Sequence, residues 1–162
     1  MENEVNRLKE VMHEGMMEAF KQDGSLAPVL FYYQNGEPFI IEIPSFFLED
    51  SIGKSILAKN IKNICSEPTT LCAGIVVEAY GIKLDVDKDK EDAEKLQKGE
   101  LDLTKHPKAV DIILLIFSTP EKSDMIAYEV DCDNKTIGEK FSGDEAGAIA
   151  GRFADFFSWI KN

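Results

Sequence analysis

Arginine is nearly missing from this chain, with two residues (Arg7 and Arg152) against sixteen lysines in 162 residues. Lysine and arginine together number 18 and the acids 30, a formal net charge of −12. Binding a phosphate backbone needs a basic face, so the balance excludes a dedicated nucleic-acid binder. It equally opposes adsorption to an anionic membrane. Long hydrophobic runs are missing too. The longest, Ile112–Phe117, has six residues, where a membrane helix needs roughly 20. The start Met1-Glu2-Asn3-Glu4-Val5-Asn6-Arg7 carries neither a basic region nor an apolar one, so no secretion signal is read there. Cysteine is scarce and unpatterned: Cys65, Cys72 and Cys132 are odd in number and form no C-x-x-C pair. Reduced, mostly buried thiols in a cytoplasmic protein are the expectation. Several motifs are absent as well: H-E-x-x-H, G-x-S-x-G and G-x-G-x-x-G.

What is present suffices for a folded domain. Hydrophobic residues make up 44% of the chain, a normal globular share, and the length fits one domain. The lysine bias and frequent isoleucine fit an AT-rich microbial or phage genome.

Apolar residues at Val5, Leu8, Val11, Met12, Met16, Ala19 and Phe20 recur in steps of three and four and predict an amphipathic helix over 3–20. Two β-prone runs, from Pro28 to Tyr33 and from Pro38 to Ile43, flank Gln34-Asn35-Gly36-Glu37. Asn-Gly between such runs predicts a hairpin, because both turn positions favour positive φ. A second helix is expected from about Glu49 to Cys65, with Ile52, Ile56, Leu57, Ile61, Ile64 and Cys65 on one face, ending before Pro68. Strands are expected over Thr70–Tyr80, Ala109–Phe117, Met125–Val130 and Thr136–Phe141, with turns at 119–124 and 133–135. A last helix opens with the capping box Ser142-Gly143-Asp144-Glu145. Its stripe is Ile149, Phe153, Phe156, Phe157 and Ile160, and Ala146-Gly147 and Ala150-Gly151 let it lie close to a sheet.

Residues 83–108 differ in kind. Between Asp85 and Asp102 stand eight acids and four lysines, and the few apolar side chains cannot offset the entropy of ordering such a length. A solvated, mobile insertion is expected, with room for one short helical turn. If the protein has a partner-binding surface, Asp85, Asp87, Asp89, Glu91 and Asp92 are its candidates. The partner is then a protein with a basic surface, and a homodimer is compatible with the same reading.

Other constellations favour structural roles. Gly53-Lys54-Ser55 has the ending of a phosphate-binding loop, but Leu48 stands where the first glycine belongs and Glu49 and Asp50 oppose phosphate. Asp85-x-Asp87-x-Asp89 imitates a calcium loop with Lys90 at the glycine position and Leu96 at the closing glutamate. Asp131-x-Asp133 looks like turn chemistry. Glu10-x-x-His13 is a single pair where a di-iron bundle needs two and further glutamates, so His13 is expected exposed. Cys72 or Cys132 with His106 could form a nucleophilic pair only if the fold joins them. Catalytic residues are therefore not assigned, and neither a metal nor a cofactor is implied.

The order helix, strand, strand, helix, three strands, helix resembles that of roadblock/longin-type scaffolds. Those are non-catalytic adaptors on a five-stranded antiparallel sheet. Size and acidity are similar to type III secretion chaperones, which place three strands before the middle helix where this chain has two. The acidic stretch ending in Lys105-His106-Pro107, after a strand ending in Glu78-Ala79-Tyr80, is similar to small bacterial and phage proteins. These readings imply one α+β domain with a mainly antiparallel sheet of five or six strands and three helices. They also imply a non-enzymatic binding or adaptor role. A small hydrolase or nucleotide-handling enzyme with a site assembled from distant residues is one alternative, and an acidic secretion-chaperone-like protein is another. A deep pocket with two carboxylates, or a cysteine beside His106, would favour it.

Overall fold

Asn35 and Gly36 hold φ of +54° and +80°, the left-handed pair that a two-residue hairpin needs. They join β1 (Val29–Gln34) to β2 (Glu37–Glu42), with Gln34 opposite Glu37 and Val29 opposite Glu42. The computed structural model describes residues 2–82, 87–98, 100 and 105–140. Around the hairpin it builds α1 (Glu2–Asp23), α2 (Phe46–Glu49), α3 (Ser51–Ser66), β3 (Thr70–Ile82), α4 (Lys90–Gln97), β4 (Ala109–Ser118), β5 (Ser123–Asp131) and β6 (Thr136–Lys140).

The six strands form one sheet in the order β2-β1-β3-β4-β5-β6. Every neighbouring pair is antiparallel. The chain is thus a single α+β domain on an antiparallel sheet, and a doubly wound parallel arrangement is excluded.

Helices pack on opposite faces of this sheet. On one face α1 sets Val5, Leu8, Met16 and Phe20 against Phe31, Cys72, Val76, Ile113, Leu115 and Phe117. On the other, α3 sets Leu57, Ile61 and Cys65 against Leu30, Ala73, Ile75 and the even-numbered residues of β4. Covered on both sides, β4 is buried continuously from Ile112 to Ser118, which is why it reads as an unbroken apolar run. Burying a side chain such as Ile61, wholly enclosed, contributes about 2 kcal/mol.

Three residues expected in buried stripes are not there. Val11 is 49% exposed, Ile52 71% and Ile56 48%. The buried row of α3 is Gly53, Leu57, Ile61 and Cys65; it keeps the expected Leu57, Ile61 and Cys65, while Ile52 and Ile56 lie about 100° away around a helix with 3.6 residues per turn. Val11 stands in the same relation to Met12, which packs on the α1 core.

The helix expected from about Glu49 to Cys65 is α3, and the one-turn helix α2 precedes it. Asp50 caps α3, its carboxylate accepting the Gly53 N–H at 2.7 Å. The single turn α2 packs on the start of α3, and Gly53 is what lets it approach, because a Cβ there would lie 2.7 Å from the Phe46 carbonyl oxygen. Gly53 therefore has a packing reason, independent of phosphate. Below, Thr70 is buried; its hydroxyl donates to the Ile64 carbonyl (2.7 Å) and accepts from Gln34 Nε2 (2.9 Å), tying α3 to the hairpin.

Within the charged stretch, Lys90–Gln97 is a helix of eight residues, more than the single turn expected there. The capping box at Ser142 and the helix predicted after it lie outside the described residues, as does Phe141.

Candidate functional site

An eight-residue helix is marginal alone in water, and α4 is held at its start by two contacts to the segment before β4. Lys108 Nζ donates to both Asp89 oxygens at 2.7 Å. His106 Nε2 lies 2.8 Å from Asp92 Oδ2, while its Nδ1 accepts the Lys108 N–H at 3.0 Å. Because Nδ1 is an acceptor, Nε2 is the donor to Asp92. Glu91 and Asp92 in the first turn suit the positive end of the helix dipole, and Lys95 pairs with Glu91 at 3.5 Å across one turn.

These contacts distribute the candidate acids. Asp89 and Asp92 are inward anchors, with Asp89 half-buried against Lys108. Asp87, Glu91 and Glu94 are exposed on the same short unit. Asp85 lies outside the described residues. The anchoring pairs, His106–Asp92 and Lys108–Asp89, are 14 and 19 residues apart in sequence, so no local pattern signalled them.

Beside this segment runs an open groove of about 510 Å³ whose lining includes Tyr80, His106, Asp111, Glu129, Asp131 and Cys132. Cys132 and His106 thus share a groove with several carboxylates. Its chemistry opposes thiolate formation. Burial, then the negative charges of Asp111 and Glu78, push the Cys132 thiol up from its ordinary value, whereas an activated cysteine needs the opposite shift. His106 already spends one ring nitrogen on Lys108 and the other on Asp92. Asp131 shapes the end of β5: its Oδ1 accepts the N–H groups of Asp133 and Asn134 at 3.1 Å, and its Oδ2 accepts Asn134 Nδ2 at 2.7 Å. These bonds, the Asn134 N–H foremost, hold its carboxyl below the usual range.

The other candidates are structural. His13 is half-buried rather than exposed, with Nε2 3.0 Å from the Tyr128 hydroxyl. Cys65 and Cys72 are buried, and burial pushes their thiols up to about 12 and about 11. A second cleft, about 570 Å³, lies between α1 and the β4–β5 turn. At its wall Lys9 Nζ donates to Asp124 Oδ2 at 2.9 Å and stands 5.2 Å from the Phe117 ring centroid. The Lys9 bond first, then the charges of Lys9 and Lys122, hold the Asp124 carboxyl below its ordinary range against the opposing effect of burial. Among the described residues, no group of three or more His, Cys, Asp or Glu side chains is placed to hold a metal ion.

The chain matches no protein-family model, no curated protein and no solved structure. Among the described residues, no helix is long and apolar enough to cross a membrane.

Proposed function

We propose that this protein is a non-enzymatic binding module that offers an acidic surface on α4 to a basic protein partner. The observation that supports this reading is the anchoring of α4: Asp89 and Asp92 fix the helix to Lys108 and His106, while Glu91 and Glu94 on it and Asp87 just before it are exposed. A helix with too little apolar surface to pack is nevertheless held in one place, which suits display better than core formation. In a chain of net charge −12, such a surface steers basic proteins toward it and binds them less well as salt rises.

A small hydrolase is the second reading, favoured by the shared groove of Cys132, His106 and Asp111. The raised thiol and the doubly engaged imidazole weigh against a cysteine nucleophile there. Replacing residues 86–102 with a short Gly/Ser linker separates the readings. The binding role predicts that capture of basic proteins from the native host at low salt is lost while the melting temperature hardly moves. Undiminished capture would remove the α4 surface from the account.

A further inference from the structure

The edge strand β2 carries apolar side chains on both of its faces. Ile40 lies opposite Phe31 and Ile41 opposite Leu30. Phe31 belongs to the α1-side core and Leu30 to the α3-side core, so Ile40 and Ile41 point to opposite sides of the sheet. Both are open, at 57% and 45% exposure. On the Ile41 side, Phe46 of α2 and Ile52 and Ile56 of α3 are exposed as well. The described end of the opposite edge, β6, is Gly138-Glu139-Lys140, a charged edge of the kind that discourages pairing.

The backbone of β2 also has a defined outer side. The Ile43 N–H donates to the Pro28 carbonyl at 2.8 Å, so odd-numbered residues turn their peptide groups toward β1. By alternation Pro38, Ile40 and Glu42 turn theirs outward. Proline on an edge strand is tolerated where its missing N–H faces away from the sheet, and Pro38 sits on that side.

We propose that β2 pairs with β2 of a second copy about a two-fold axis through Ile40, joining two six-stranded sheets into one. A two-fold that makes antiparallel neighbours lies perpendicular to the sheet, so each residue meets one of like parity. With the axis at Ile40, Ile40 faces the partner's Ile40, Phe39 faces the partner's Ile41, and Glu42 faces the partner's Pro38. Ile40 then gives and receives one hydrogen bond, and each Glu42 N–H reaches the partner's Pro38 carbonyl. The missing Pro38 N–H removes only the bond to the partner's Glu42 carbonyl.

Neighbouring registers are worse. An axis at Phe39 sets Pro38 against the partner's Ile40 and halves the bonds at that pair. An axis at Ile41 brings Glu42 and the partner's Glu42 onto a diagonal of one face, where like charges repel. At Ile40 the two glutamates stand four positions apart, about 14 Å at the rise of a strand. Two net-acidic chains repel at long range, so added salt strengthens this contact, whereas it weakens a complex with a basic protein.

Sedimentation equilibrium of the full chain at rising concentration tests the pairing. The wild type is expected at twice 18.1 kDa, with a dissociation constant that falls as salt rises. Ile40→Lys, which sets two ammonium groups side by side on the axis, is expected to weaken the dimer at least tenfold, while Val11→Lys on exposed α1 leaves it unchanged. Ile40→Cys is expected to yield an oxidised dimer that the wild type does not form, because residues facing each other across the axis lie within disulfide reach. A monomeric wild type, a dimer that survives Ile40→Lys, or an Ile40→Cys chain that does not cross-link would each overturn the proposal. The cross-link reads the register directly if Ile40→Lys fails to fold.

Discussion

Gly74 lies flat against the ring of Phe31: a Cβ at this position would stand 2.6 Å from Phe31 Cε1 and 2.7 Å from the Ile116 carbonyl oxygen. The ring fills the space that a side chain on β3 would otherwise take. Phe31 and Gly74 are direct cross-strand partners, so neither can shift alone. Gly74→Ala is therefore expected to cost about 2 kcal/mol, within the range for overpacked cores, read from the urea midpoint. An unchanged midpoint would mean that Phe31 has another place to go.

The two buried thiols make stability fall at high pH. Cys65 and Cys72 have folded-state values of about 12 and about 11 against an ordinary 9.0. Between these limits the unfolded chain releases protons that the folded chain keeps, so ionisation favours unfolding. Stability should be flat in this respect below about pH 8 and decline from about pH 9 upward. Cys65→Ala should flatten that decline, despite its own packing cost. In native protein at pH 8, Cys132 should react first with a thiol reagent, and Cys65 and Cys72 only as the chain unfolds.

At the acid end the relevant pair is Lys9–Asp124. The Asp124 carboxyl is held below 3.8, so its contribution is present above that value and is lost as pH falls through the lower folded value. The side chains are 25% and 37% exposed, which limits the pair to about 0.5 kcal/mol. Lys9→Met keeps the stem over Phe117 and removes the charge. The urea midpoint should drop slightly at pH 7, and the difference from the wild type should shrink as the pH falls below the ordinary carboxylate range.

Lys108→Ala should loosen α4 without unfolding the domain. Faster amide hydrogen exchange over 90–97, by about tenfold, with an unchanged melting temperature is the expected pattern, since the bidentate contact to Asp89 fixes a local unit. A large fall in melting temperature would instead make the segment part of the core.

Much of this architecture was legible in local pattern. The hairpin was readable because Asn-Gly fixes both the turn and the register, and β4 because burial on two faces leaves a continuous apolar run. Periodicity placed α3 in the right stretch with Leu57, Ile61 and Cys65 on its inner face, but widened that face to Ile52 and Ile56. Ile52 and Ile56 fit an apolar arc as well as Gly53 does, and only the close approach of α2 shows that the glycine is the inward position. The anchors of α4 were hidden for another reason. Asp92 meets His106 and Asp89 meets Lys108 across 14 and 19 residues of sequence, and polar contacts at such spacing leave no periodic trace. His13 looked exposed because its partner, Tyr128, is 115 residues away.

The most direct test of the binding role is charge removal on α4 and the turn before it in a chain that keeps its anchors. In Asp87→Asn/Glu91→Gln/Glu94→Gln, residues Asp89, Asp92, His106 and Lys108 are untouched. The measurement is the amount of basic protein captured from the native host at low salt, with the melting temperature followed in parallel. A several-fold loss of capture is expected, with a melting temperature within about 2 °C of the wild type, as for other exposed substitutions. Equal capture by the variant and the wild type would contradict it.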